Sequence, residues 1–491
     1  MDEHKAATPN RFASLTLFAA IAGAPLLFGS RDDTTVAFWC FLLGLGLVLA
    51  SPKQLRPSHR ALLCGVAFVI ACYALVLHEQ LAAHPWVASP NPIWAKASAL
   101  LGQPIPPSVS IIRGEPFYAL GPPLAAVLAL VLGLVIGADN GHARQALLVM
   151  AWSGVGYAVY GIWTLLFDPT AILWREKIYN LGNLTATFIN RNTAAVYFGS
   201  CAVVWLVLLM ARLRGQLPAG SIVWSKALRT IVSRKSGRTQ IVIRFFAFFV
   251  CLAAMFLTDS RGGTLASLFA MVIAFILFFR KDLPRSINLL LAAVAAASVA
   301  LLLLQLLGGN VEHRIATEGL EEQGRLATYR STLRMIADYP WFGTGLGTFP
   351  SAFPAYRSGD ISIWGVWLQA HSTPLELAAE LGVPLALTIA AAWIVAIVVL
   401  LRGTRRSRRD TVAPLAALGV ALAALLHTSI DFSMQIPGVA IVVFAIVGVG
   451  LAQSFDTGAF HQKRKRRTHS TLLTWVTRIV FPSRATEELD S

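Results

Sequence analysis

Residues 371–382 read HSTPLELAAELG. His371 stands at the mouth of an apolar run, and Glu376 and Glu380 lie one helical turn apart inside it. An imidazole takes up and releases a proton near neutral pH. A carboxylate that enters lipid is costly enough to need a reason. Three arginines stand at comparable positions: Arg191 between Asn190 and Asn192, Arg261 in DSRGG (259–263), and Arg325 in GRLATYRSTLRMIADYPWFGTGLGTF (324–349). A guanidinium holds a phosphate or carboxylate through paired hydrogen bonds, and a helix N-terminus adds backbone N–H donors. Such a set can bind an anion and remove a proton beside it. Simpler readings stand next to this one. Arg261 could reach to lipid headgroups, and Asn190 or Asn192 could merely cap the helix that follows.

Within the opening stretch, Thr373, Pro374 and Glu376 fit a capping box, with Thr at the N-cap and Glu at the third helical position. Glu376 then has a structural task. His371 precedes the cap by two residues and caps nothing. Pro384 cannot donate to the carbonyl of Glu380, so a kink is expected there, with Glu380 facing a cavity or a protein partner. GTGLG (343–347) follows no strand, so it reads as close turns and not as a dinucleotide loop.

The elements that must position these residues are membrane helices. The chain has 491 residues, of which 56% are hydrophobic and only 13% charged, and its mean hydropathy is +0.63. Twelve apolar runs reach or approach the length that crosses a bilayer: 12–29, 35–50, 61–77, 118–137, 145–167, 192–211, 242–258, 263–280, 286–307, 375–401, 411–428 and 435–453. The expected fold is an all-α polytopic membrane protein. Residues 1–453 form its membrane domain, with one large periplasmic loop at 308–374, and 454–491 form a basic cytoplasmic tail. With the N-terminus inside, 29 of the 41 Lys and Arg fall on the cytoplasmic side, so both termini are expected there. The net charge of +16 follows this loop pattern, which argues against nucleic acid as a partner. The basic loop 212–244 and KRKRR (463–467) fit anchors on anionic lipid. The five cysteines all lie in apolar runs and suggest neither disulfides nor a zinc site.

Residues 325–337 have helical periodicity, with Leu326, Tyr329, Leu333 and Ile336 on one face. This predicts an interfacial helix lying on the membrane. Arg330 and Arg334 would face water, and Arg325 would sit at the edge of the apolar stripe.

Taken in order, TFINRNTAA (187–195), DSRGG, the 324–349 stretch, the His–Ser–nine residues–Gly spacing of His371, Ser372 and Gly382, and HTSIDF (427–432) resemble the O-antigen ligases and the related O-antigen polymerases. Tyr329 departs mildly, since the family often has tryptophan there. The resemblance implies a metal-independent and nucleotide-independent glycan transferase at the periplasmic face of the bacterial inner membrane. Its donor would be a glycan on undecaprenyl pyrophosphate. Its acceptor would be a sugar hydroxyl, on lipid A–core for a ligase or on a lipid-linked glycan for a polymerase. His371 would be the base, and Arg261 and Arg325, with Arg191 assisting, would hold the pyrophosphate. Asn190, Asn192, Arg330 and Glu380 are further candidates, and His427 is either near the site or a structural partner of Asp431. A transporter of lipid-linked sugars is the rival class. It should carry charge at mid-membrane, and these spans carry almost none.

Overall fold

The computed structural model describes residues 3–216, 238–282, 286–287, 290–291, 294, 319–361, 366–405 and 411–455. In lipid a chain must satisfy its own backbone polar groups, and the described chain is accordingly helical apart from a ladder of two residues on each side, Ala171–Ile172 with Arg175–Glu176. In order come α1 (Glu3–Gly23), α2 (Asp33–Leu49), α3 (Pro57–Leu81), α4 (Ile93–Leu101), α5 (Gly121–Gly137), α6 (Asn140–Phe167), α7 (Arg191–Arg214), α8 (Arg238–Leu257) and α9 (Arg261–Phe279). They are followed by α10 (Gly319–Asp338), α11 (Thr373–Leu381), α12 (Val383–Thr404), α13 (Val412–Thr428) and α14 (Pro437–Gln453). Among the described residues seven helices are long and apolar enough to cross a membrane: α3, α5 with the helical turn before it, α6, α7, α8, α9 and α12. The helices α2, α13 and α14 are apolar but shorter. The chain is a multi-pass helical membrane protein.

At the centre stands α7, buried on all sides from Thr193 to Val204 and packed by α6, α8, α9 and α13. Beside it α5 and α14 lie backbone to backbone through Gly133, Ala445 and Gly448, the close approach that small residues permit between membrane helices. The bundle therefore fixes the N-termini of α7 and α9 and the C-terminus of α13 against one another.

Two expectations change. The run 375–401 is two helices, not one kinked helix. Gly382, at φ +85°, ends α11 and starts α12. The carbonyl of Glu380, which Pro384 leaves without a helical donor, accepts from Gln80 Nε2 at 2.8 Å and from the Gly345 N–H at 3.1 Å. Helix α10 leaves Leu333 54% exposed. Its packed face is Gly324, Ala327, Thr328, Ser331, Thr332 and Met335, set against α11. Thr328 and Thr332 return their hydroxyls to the carbonyls of Gly324 and Thr328, at 2.7 and 2.8 Å, which lets polar side chains be buried. Second, Thr373 is not the N-cap of α11. Ser372 holds that place without a side-chain cap bond, and the carboxylate of Glu376 accepts from the Ala370 N–H instead. The expected span 286–307, the basic loop 212–244 and the basic tail lie wholly or largely outside the described residues, as do 308–318 and 362–365 of the large loop.

Candidate active site

Two helix N-termini form one wall. Asn190 caps α7, its Oδ1 accepting from the N–H groups of Asn192 and Thr193 at 2.7 and 3.4 Å. With its backbone so held, Asn192 donates from Nδ2 to Asp431 Oδ2 at 2.5 Å, and Arg191 pairs with Asp259 at 3.2 Å. Ser260 caps α9, accepting from the Gly263 N–H at 3.3 Å. A Cβ on Gly263 would come 2.6 Å from that of Ala195 and 3.6 Å from His427 Nε2, so glycine lets α9 start against α7 and this histidine. Arg261 opens α9 and is exposed.

Against these helix starts lies the chain between α13 and α14. Buried Asp431 accepts from the Phe432 N–H at 2.6 Å as well as from Asn192. His427 is also buried. Its Nδ1 lies 2.9 Å from Ser433 Oγ, so Ser433 and not Asp431 is its direct partner. Both Asp431 and Arg325 act on it electrostatically.

The floor is α10 and the segment 366–373. The Tyr329 hydroxyl donates to the carbonyl of His371 at 2.9 Å. Burial pushes that hydroxyl up to about 12; Arg325 beside it pulls the other way, and Asp431 adds to the rise. His371 has φ +54°. Its half-buried ring stands edge-on to Trp367 and Phe432, with centroids at 5.5 and 5.2 Å. Next to it, Thr373 Oγ1 meets Thr428 Oγ1 at 2.7 Å, which ties the start of α11 to the end of α13.

His371, Arg325 and Asn192 thus converge on Tyr329, Asp431 and His427, with Arg191 and Arg261 at the adjoining helix starts. Asn190 serves as a cap. Two candidates stand elsewhere. Arg330 is exposed on α10 away from its packed face. Glu380 accepts from the N–H groups of Gly347 and Phe349 at 2.9 and 2.8 Å and so organises the 343–349 turns, in which Gly343, Gly345 and Gly347 all have positive φ. Asp431 is the residue that sequence reasoning undervalued. Its signal was a carboxylate beside a histidine in the short polar link between two apolar helices. Among the described residues no group of three or more His, Cys, Asp or Glu side chains could hold a metal ion. Guanidinium groups and helix N-termini beside a histidine suit an anionic ligand next to a site of proton removal.

Fold and side chains together describe a multi-pass helical membrane protein with a polar cluster around Tyr329, Asp431 and His427. Residues 246–390 match the family model described as O-antigen ligase. That segment carries Arg261, Arg325 and His371 and is similar to the O-antigen ligase family, whose members are glycan transferases of the ligase or polymerase type. No curated protein matches the chain.

Proposed function

We propose that this protein transfers a glycan from undecaprenyl pyrophosphate to a sugar hydroxyl of lipid A–core, at the periplasmic face of the inner membrane and with both termini cytoplasmic. The observation that supports the reading is the Tyr329 bond to the His371 carbonyl, with Arg325 acting on Tyr329 and on His427, beside which α9 starts. The acceptor hydroxyl attacks the anomeric carbon from the side opposite the pyrophosphate. His371 takes its proton, the new glycosidic bond forms, and the electron pair of the broken C–O bond leaves on the lipid pyrophosphate. The anomeric configuration inverts.

A pyrophosphate is already a good leaving group, so the main tasks are neutralising its charge and placing the acceptor. Arg261 and Arg325 supply the guanidinium forks for the first. Arg191, which pairs with Asp259, would assist them. Proton removal by a positioned histidine contributes about 10²–10⁴-fold.

The test is a deletion strain complemented with His371→Ala at wild-type membrane level. The expected result is lipid A–core without long chains while lipid-linked polymer is retained. Full surface glycan would remove His371 from catalysis. Lipid A–core capped with single repeats in the deletion strain would instead assign polymerisation.

A further inference from the structure

We propose that Glu376 is the positioning residue for His371, so that the reach of the base depends on one buried carboxylate beneath it. The inference rests on the reading of His371 as the base. An ordinary helix-start glutamate satisfies the N–H of its own N-cap. Glu376 reaches past the cap of α11 to Ala370, whose N–H donates to Oε2 at 2.6 Å. The His371 carbonyl is held at the same time by Tyr329 at 2.9 Å. The chain is therefore gripped one residue before His371 and again at His371 itself. Between these grips His371 keeps the left-handed backbone that non-glycine residues rarely adopt. Such a conformation persists only where its surroundings impose it.

Glu376 also faces the link between α13 and α14. The Gln435 side chain is close enough to act on its carboxyl group, and Gln435 ends the turn that begins at Ser433, the partner of His427. The carboxyl group thus lies between the segment of His371 and the link that carries Asp431. The aromatic edges of Trp367 and Phe432 set the ring's orientation, and Glu376 sets where that ring is placed along the chain. It is itself buried and lies beneath the backbone of the segment, so it acts through His371.

The test uses the full-length protein in membranes of a strain lacking the chromosomal copy, with that strain's undecaprenyl-pyrophosphate-linked glycan as donor and its lipid A–core as acceptor. Glu376→Met keeps the volume and removes the acceptor oxygens, whereas Glu376→Gln keeps an acceptor. The expected result is a kcat lowered about 10- to 100-fold in Glu376→Met at a donor KM within about twofold of wild type, and a kcat within about threefold in Glu376→Gln. Wild-type kcat in Glu376→Met overturns the proposal, as does equal loss in both variants with KM rising in step. Should Glu376→Met fail to accumulate, Glu376→Asp withdraws the carboxylate by one methylene. A kcat loss of about tenfold at constant KM then supports the proposal, and an unchanged kcat overturns it. His371→Ala run alongside separates the two readings. If it stays active the base is wrong, and if it is inactive while Glu376→Met is active only the positioning role fails.

Discussion

The hydroxyl of Tyr329 donates to the backbone carbonyl of His371 at 2.9 Å, across 42 residues of chain. The bond joins α10, which carries Arg325, to the segment that carries the proposed base. It makes the separation of cation and base a property of two packed elements. Tyr329→Phe removes only the hydroxyl. A hydrogen bond of this kind contributes about 0.5–1.5 kcal/mol net, so the expected cost is a kcat lowered roughly two- to tenfold. The donor KM should stay unchanged, since no group proposed to touch the pyrophosphate is altered. Steady-state transfer in isolated membranes measures both.

The cations should differ sharply in their tolerance of lysine. Arg261 begins α9 beside Gly262 and Gly263, and Arg325 is half-buried within electrostatic reach of Tyr329 and His427. A lysine keeps the charge at either position but loses the paired geometry. Arg261→Lys and Arg325→Lys are expected to lower transfer by about 10²-fold, the size of effect seen when one preorganised donor is removed. Arg330→Lys and Arg330→Ala should both stay within about threefold of wild type, because Arg330 is exposed on the far side of α10. Equal losses at all three positions would show a diffuse basic surface in place of a clamp.

The helices were legible because lipid leaves the backbone few choices, and their apolar runs are long. His371, the three arginines and the glycine turns were legible as residue types out of place in such runs. What stayed hidden was pairing at a distance. Asn192 and Asp431 are 239 residues apart, and each by itself reads as a polar residue at a helix end. Gln80 was equally silent. It donates to the carbonyls of Phe342 and Glu380 and accepts from the Leu346 N–H, so it holds the turns on which α11 ends. The protein-facing side of α10 was hidden for another reason. Hydropathy favours Leu326 and Leu333, but the face that packs is rich in Thr and Ser, whose hydroxyls are satisfied inside the helix.

The break between α11 and α12 should not tolerate a side chain. Gly382 combines φ +85° with a backbone so close to the carbonyl of Trp341 that a Cβ would collide with it. The neighbouring Val383 N–H donates to the Pro340 carbonyl at 2.7 Å, so the two strands of chain cannot simply part. Gly382→Ala is expected to cost about 2 kcal/mol or more, since both backbone strain and overlap oppose it. Thermal unfolding of the detergent-extracted protein and its amount in membranes would register the loss. An unchanged unfolding temperature would mean that the 341–343 turn can move aside.

Stability should also fall as the medium becomes alkaline, because of the two glutamates of α11. Burial raises the pKa of Glu376, and the charge of Glu380 raises it further. Burial likewise raises that of Glu380, opposed by the N–H groups of Gly347 and Phe349 and helped by the charge of Glu115. In the unfolded chain both return to the ordinary glutamate value of about 4.3. Between that value and the raised ones the folded protein keeps protons that the unfolded chain has released. Their contribution to stability is therefore complete below the ordinary value and is lost as pH rises through the raised ones. The detergent-extracted protein should unfold at a higher temperature near about pH 5.5 than near about pH 8.5, other groups being equal. Glu376→Gln keeps a neutral acceptor for the Ala370 N–H and removes the titration, so it should flatten this dependence without lowering stability at the alkaline end. A slope unchanged in that variant would assign the effect to other groups, and a fall in stability at every pH would show that the carboxylate is charged where it meets Ala370.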